Sequence, residues 1–142
     1  MAAADSWTEN EWNEIAHHVP IEDLEAALIE GAPAPLGAEA AVELLIAHGS
    51  WLARDDFRRH IDLVTDDIRV TTARIYYGDA LKDDLPATAS DHKILRLAAE
   101  LVGRDSGIPL GDLLDDLDEH EKFLVLDAIA HALGLVSFES PA

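Results

Sequence analysis

The chain contains no cysteine, which excludes disulfide frameworks, thiolate zinc sites and cysteine nucleophiles. It is also poor in cations. Ten Lys and Arg stand against twenty-nine Asp and Glu in 142 residues, a formal charge of −19. A field of that sign repels nucleic-acid phosphates and anionic lipid, so it argues against nucleic-acid and membrane-surface binding and favours a basic protein partner. No apolar run approaches the ~20 residues that cross a bilayer. The start, Met1-Ala2-Ala3-Ala4-Asp5, lacks the basic end and apolar stretch of a secretory leader, so the expected location is the cytoplasm. Aromatics make up only 6% of the residues, and glycine and proline number eight and six. Apolar residues nonetheless reach 49%. That is too many for a disordered acidic tail and enough for a single domain, residues 1–142, with a core of its own.

The few cations are unevenly placed. The first is Arg54, so residues 1–53 carry ten acids and no Lys or Arg, whereas residues 54–104 hold nine of the ten cations. Residues 105–142 return to nine acids against Lys122. Glu11, Glu14, Asp23 and Glu30 are the candidate partner-binding residues of the cation-free part.

Hydrophobic spacing predicts a mainly α, single-domain helical bundle of about six or seven helices. Thr8 and Glu11 form a capping box ahead of Trp12, Ile15, Ala16 and Val19, which predicts a helix over about 9–18. Pro20 opens a second helix whose apolar face is Ile21, Leu24, Ala27 and Leu28, with Gly31 as a left-handed stop. A third runs from Ala38 to His48 and ends at Gly49. Ser90 caps a helix with Ile94, Leu95, Leu97, Ala98, Leu101 and Val102 inward, closed by Gly103. Pro109 opens a short helix through Leu114. Asp118 caps the last, Glu119 to Leu133, with a wide apolar stripe of Phe123, Leu124, Leu126, Ile129, Ala130 and Leu133, and Gly134 closes it.

Between these helices the residues change character. Seven of the twelve residues from Ile61 to Thr72 are β-branched, which favours a small β-hairpin near residues 60–71 over one long helix from Phe57. A two-residue turn at Asp66-Asp67 would set Leu63 against Val70 and Thr65 against Ile68, gathering Ile61, Leu63, Ile68 and Val70 on one face. From Thr72 the pattern reads as helix again, through Ile75, Tyr76, Ala80 and Leu81.

The phrase His48-Gly49-Ser50-Trp51-Leu52-Ala53-Arg54-Asp55-Asp56-Phe57 resembles a recurring His-Gly-x-Trp-Leu-x-Arg-x-Asp-Phe phrase of small actinobacterial proteins. In that family a hairpin-like stretch follows, then a Ser-rich loop and a Leu-x-Leu-Ala helix, a place held here by Ser90-Asp91-His92-Lys93-Ile94-Leu95-Arg96-Leu97-Ala98. The resemblance covers about residues 40 to 133. It implies the fold and the hairpin, and brings no activity, cofactor or site residue with it.

Three groups of residues offer chemistry. Glu14 and His17 are three apart, with His18 beside them, and Asp127 and His131 are four apart, so both pairs could meet across a bundle as ligands of a transition metal. A full dinuclear site would need a second Glu-x-x-His motif, which the chain lacks. Trp51, Arg54 and Asp56 could line a small pocket with the indole as wall and the guanidinium as anion clamp, or could simply pack. The acids Asp112, Asp115, Asp116, Asp118, Glu119 and Glu121 lack the alternation and central glycine of an EF-hand loop and are better read as acids gathered at helix starts. No Gly-x-Ser-x-Gly setting and no phosphate-cradling glycine loop exists.

The leading expectation is therefore a non-catalytic acidic interaction or regulatory protein that docks a basic protein and carries no cofactor. A DNA-mimic inhibitor of a nucleic-acid-binding protein and a metal-dependent enzyme using the His/carboxylate pairs are the alternatives. A homodimer joined through Trp7, Trp12 or the Tyr76-Tyr77 pair is a further option, because interface cores are rich in aromatics.

Overall fold

A computed structural model of the chain describes residues 19–32, 36–66 and 69–135. Seven helices and one hairpin lie among them: α1 (Ile21–Gly31), α2 (Leu36–His48), α3 (Asp55–Arg58), β1 (Ile61–Asp66), β2 (Arg69–Ile75), α4 (Tyr77–Lys82), α5 (Ala89–Leu101), α6 (Leu110–Leu114) and α7 (Glu119–Ala132). The fold is mainly α with a small antiparallel hairpin, as expected. The helix expected over about 9–18 falls outside the described residues.

The architecture follows from which faces are apolar. Helix α2 buries Ala40, Ala41, Val42, Leu44 and Leu45, a face broad enough to pack against both α5 and α7. Helix α5 supplies Ile94, Leu95, Leu97, Ala98 and Ala99, all 4% exposed or less. Each fully buried Leu or Ile among them contributes about 1.5–3 kcal/mol of transfer free energy. Helix α1 lies across β2 and buries Leu24, Ala27 and Leu28. None of these helices spans a membrane: among the described residues no helix is long and apolar enough.

The hairpin forms where expected but in a different register. Asp66 pairs with Arg69 and Thr65 with Val70, so the turn is one residue later than Asp66-Asp67. A bulge follows, because Val64 pairs with Thr72 and leaves Thr71 over. The Thr71 hydroxyl donates to the Val64 carbonyl at 3.1 Å. Beyond the bulge Leu63 meets Ala73 and Ile61 meets Ile75, so Ile61, Leu63 and Ala73 are buried on the inward face, with Val70 and Ile75 packed partly against the same core; Ile68 lies outside the described residues. The strand therefore runs on through Thr72–Ile75, where spacing alone read helix. Its last residues complete a ladder with β1, and the Tyr76 N–H donates to the His60 carbonyl at 2.8 Å.

Two expected helix ends also differ. Thr88, not Ser90, caps α5, its hydroxyl accepting from the Asp91 N–H at 3.1 Å. Gly31 is not a left-handed stop: it belongs to α1, and a Cβ there would collide with the carbonyl oxygen of Ala73. Glycine is needed for close approach of helix and strand. Gly37 plays the same part where α2 crosses the Leu101 carbonyl. Gly49, Gly103 and Gly134, by contrast, take φ values of 79°, 88° and 77°, as expected of helix stops. Gly31→Ala is expected to cost about 1–3 kcal/mol by forcing α1 off β2. Gly78→Ala, within α4 with nothing near a new Cβ, should instead stabilise by about 0.5–1 kcal/mol. Urea unfolding of the two variants checks the contrast, and a Gly31→Ala protein as stable as the parent would refute the close approach.

Tyr77 is buried in the core, and among the described residues its hydroxyl has no hydrogen-bond partner. Burial pushes its pKa well above the ordinary value of 10. Above about pH 10 the unfolded chain loses this proton while the native chain keeps it. The unfolded state then binds fewer protons, so stability falls as pH rises. Tyr77→Phe is expected to flatten that fall between about pH 9 and 11, and at neutral pH to leave stability unchanged or raise it by up to about 1 kcal/mol, since no bond is lost. Denaturant titrations at the two pH values read both effects.

Candidate functional site

The turn after α2 carries the Trp51, Arg54 and Asp56 group. Trp51 is 0% exposed, its indole N–H donating to the Asp91 carbonyl at 2.8 Å. Its ring packs against Phe57 and His92 at centroid distances of 5.4 and 5.7 Å. Arg54 covers the indole from 5.0 Å and grips Asp56 through both ends of its fork, at 3.0 and 2.7 Å. The guanidinium holds the Asp56 carboxyl below its usual range, and Asp56 in turn raises Arg54. The three residues thus come together as a packed unit whose cation already has its anion. Segments some forty residues apart, around Trp51 and around Asp91-His92, meet here.

Beside this unit lies a polar contact that spacing did not single out. His48, in the last turn of α2, places Nε2 3.0 Å from Glu121 Oε2 and 3.8 Å from Asp91 Oδ1. Glu121 is 5% exposed although it is an acid at a helix start. Its other oxygen accepts from the Asp118 N–H at 3.1 Å, and Asp118 accepts from the Glu121 N–H at 2.7 Å, completing a capping box. Helix starts do account for Asp118 and Glu121, as the sequence suggested. The second use of Glu121, as a bridge to α2, is tertiary.

The His/carboxylate pairs are only partly visible. Glu14, His17 and His18 lie outside the described residues, as do Glu11, Trp7 and Trp12. His131 meets two other acids: Glu39 Oε1 lies 2.9 Å from its Nε2 and Glu43 Oε2 2.6 Å from its Nδ1. One ligand atom from each of the three falls within 4.8 Å of the others. Asp127, one turn before His131, lines a cavity of about 260 Å³ together with Glu43 and His131. The clue in the sequence was the spacing Glu39-x-x-x-Glu43, matching Asp127-x-x-x-His131; what it lacked was the pairing of α2 with α7.

The outer surface of α7 departs most from expectation. Of its predicted apolar stripe, Phe123, Leu126 and Leu133 are 66%, 49% and 70% exposed. The buried face is Glu121, Val125 and Ala128, with Ala130 also covered. Leu135, just past the helix, is 57% exposed. Glu119 and Asp127 are exposed on the same helix, and its single Lys, Lys122, reaches Glu119 at 3.4 Å. On α1, Asp23 and Glu30 are both exposed and stand seven residues apart, on one side of the helix. Of the aromatic pair offered for dimerisation, Tyr76 is 51% exposed but Tyr77 is buried and so unavailable to an interface. No family model matches this chain, and neither the curated proteins nor the solved structures contain a match to it.

Proposed function

We propose that this chain is a non-catalytic acidic interaction protein that docks a basic, amphipathic surface of a partner protein against the outer face of α7. The observation that carries this reading is the exposure of Phe123 and Leu126 on α7, and of Leu133 at its C-cap, on a helix that carries exposed acids. Exposed apolar patches with polar rims mark interaction surfaces, whereas lone exposed apolar residues need no explanation. The −19 charge selects a cationic partner and speeds encounter. Large apolar side chains at the centre would hold the complex, and the acids would set its salt dependence.

The test is capture from the source organism's lysate by the intact protein and by a variant carrying Phe123→Ser, Leu126→Ser and Leu133→Ser. The expected result is a basic protein retained at low salt, released at moderate salt, and absent from the variant's eluate. Equal retention by both proteins, or retention indifferent to salt, overturns the reading.

A second reading has one specific observation behind it. Glu39, Glu43 and His131 offer two carboxylates and an imidazole, a donor set suited to a divalent transition metal. Metal analysis after gentle purification, and a thermal shift with Mn or Zn that His131→Ala abolishes, would support it. A protein free of metal and unmoved by either ion disposes of it.

A further inference from the structure

A groove of about 500 Å³ opens on the side of the molecule formed by α1, α2, β2 and the end of α5. No residue of α7 lines it, so it is separate from the docking face proposed above. Its size falls within the range of small-molecule sites, roughly 300–1,000 Å³. The walls are apolar: Leu28 from α1, Val42 from α2, Ala73 from β2 and Leu101 from α5 all contribute.

Two cations, Arg74 and Arg104, also line this groove. Elsewhere the described cations are commonly engaged. Arg54 holds Asp56, Arg58 donates to the Leu52 and Val19 carbonyls, Lys93 to the Asp115 carbonyl and Arg96 to the Ser106 carbonyl. Arg74 and Arg104 are exposed, and neither makes an ion pair or a side-chain hydrogen bond among the described residues. Asp62 stands opposite Arg74 across the ladder, yet the bond its carboxylate makes is with the Tyr76 hydroxyl, at 3.4 Å. In a chain with nearly three acids for every cation, two unengaged guanidinium groups on one apolar groove form a local reversal of charge.

We infer that this groove binds a small amphipathic carboxylate, its apolar body between α1, α2 and β2 and its anionic head against Arg74 and Arg104. An apolar pocket with a few convergent polar groups fixes a ligand by burial and orients it by charge. Guanidinium forks match the carboxylate geometry, and a neutral ligand of the same shape would gain only the burial.

Decanoate, below its micelle concentration, and its neutral counterpart decanol serve as probes in calorimetric titrations of the full chain. Decanoate is expected to bind one site more tightly than decanol. Joint replacement Arg74→Gln and Arg104→Gln should weaken decanoate about tenfold or more while leaving decanol unchanged. Ala38→Phe, at a half-buried position of the groove wall, should block both probes. The Phe123→Ser, Leu126→Ser, Leu133→Ser variant should bind decanoate like the parent. Circular dichroism establishes that each variant is folded. Decanoate binding that ignores the arginine replacements, that disappears in the α7 variant, or that is absent from the folded parent would overturn the inference.

Discussion

Trp51→Ala is expected to destabilise the protein by about 3–5 kcal/mol, the range for deleting a large aromatic from a packed core. Native domains are held by only about 5–15 kcal/mol in total, so the variant should melt about 10–20 °C lower. The size of the effect follows from what the indole touches. It is fully buried, spans the space between Phe57 and His92, and gives the Asp91 carbonyl its hydrogen bond. It also supports Arg54, which lies over it. Trp51→Phe keeps much of the ring and loses the N–H, so it should cost less, about 1–3 kcal/mol, with the Asp91 carbonyl left without this donor. If Trp51 were the wall of an open pocket, the alanine variant would lose under about 1 kcal/mol, and calorimetric melting would show it at once.

Glu121→Ala is expected to cost about 2–4 kcal/mol, from two separate losses. The first is half of the capping box, because the Asp118 N–H loses its acceptor. The second is the bridge to His48. A carboxylate only accepts, so His48 donates through Nε2, while its Nδ1 is already buried without a partner. Removing the carboxylate leaves a buried ring with neither nitrogen satisfied. Glu121→Gln should cost less, since an amide retains one acceptor for the cap. In a double-mutant cycle with His48→Ala the coupling should be about 1–3 kcal/mol, as for residues in one hydrogen-bond network. A coupling near zero would mean that the contact across α2 and α7 does not contribute to stability.

These two residues also show how far the sequence could be read. The sequence leaves Trp51 open between pocket wall and packed core residue, and the packing alternative needs only a large aromatic beside a helix end. Its partners at Asp91 and His92 are some forty residues away, and no local pattern announces them. Glu121 reads from the sequence only as one of several acids gathered at a helix start. Its burial was not legible, because acids at helix starts are normally exposed and nothing local distinguishes one that faces a histidine on another helix.

The same division runs through the fold and the candidate sites. Periodicity, proline and glycine positions determined the described helices other than α3 and most of their ends, and β-branched composition the existence of the hairpin, since these depend on interactions within about four residues. Composition determined the excluded classes, because net charge and missing cysteine act on the whole chain. Tertiary structure decided what periodicity cannot carry. It shifted the hairpin by one residue and extended β2 to Ile75, because Ala73 has to lie under Gly31. It turned Phe123, Leu126 and Leu133 outward, because α2 has room against α7 only for the face of Val125 and Ala128. It brought Glu39 and Glu43 to His131, and Arg74 and Arg104 to one groove, since the meeting of distant segments depends on how apolar faces pack together rather than on the spacing within any one of them.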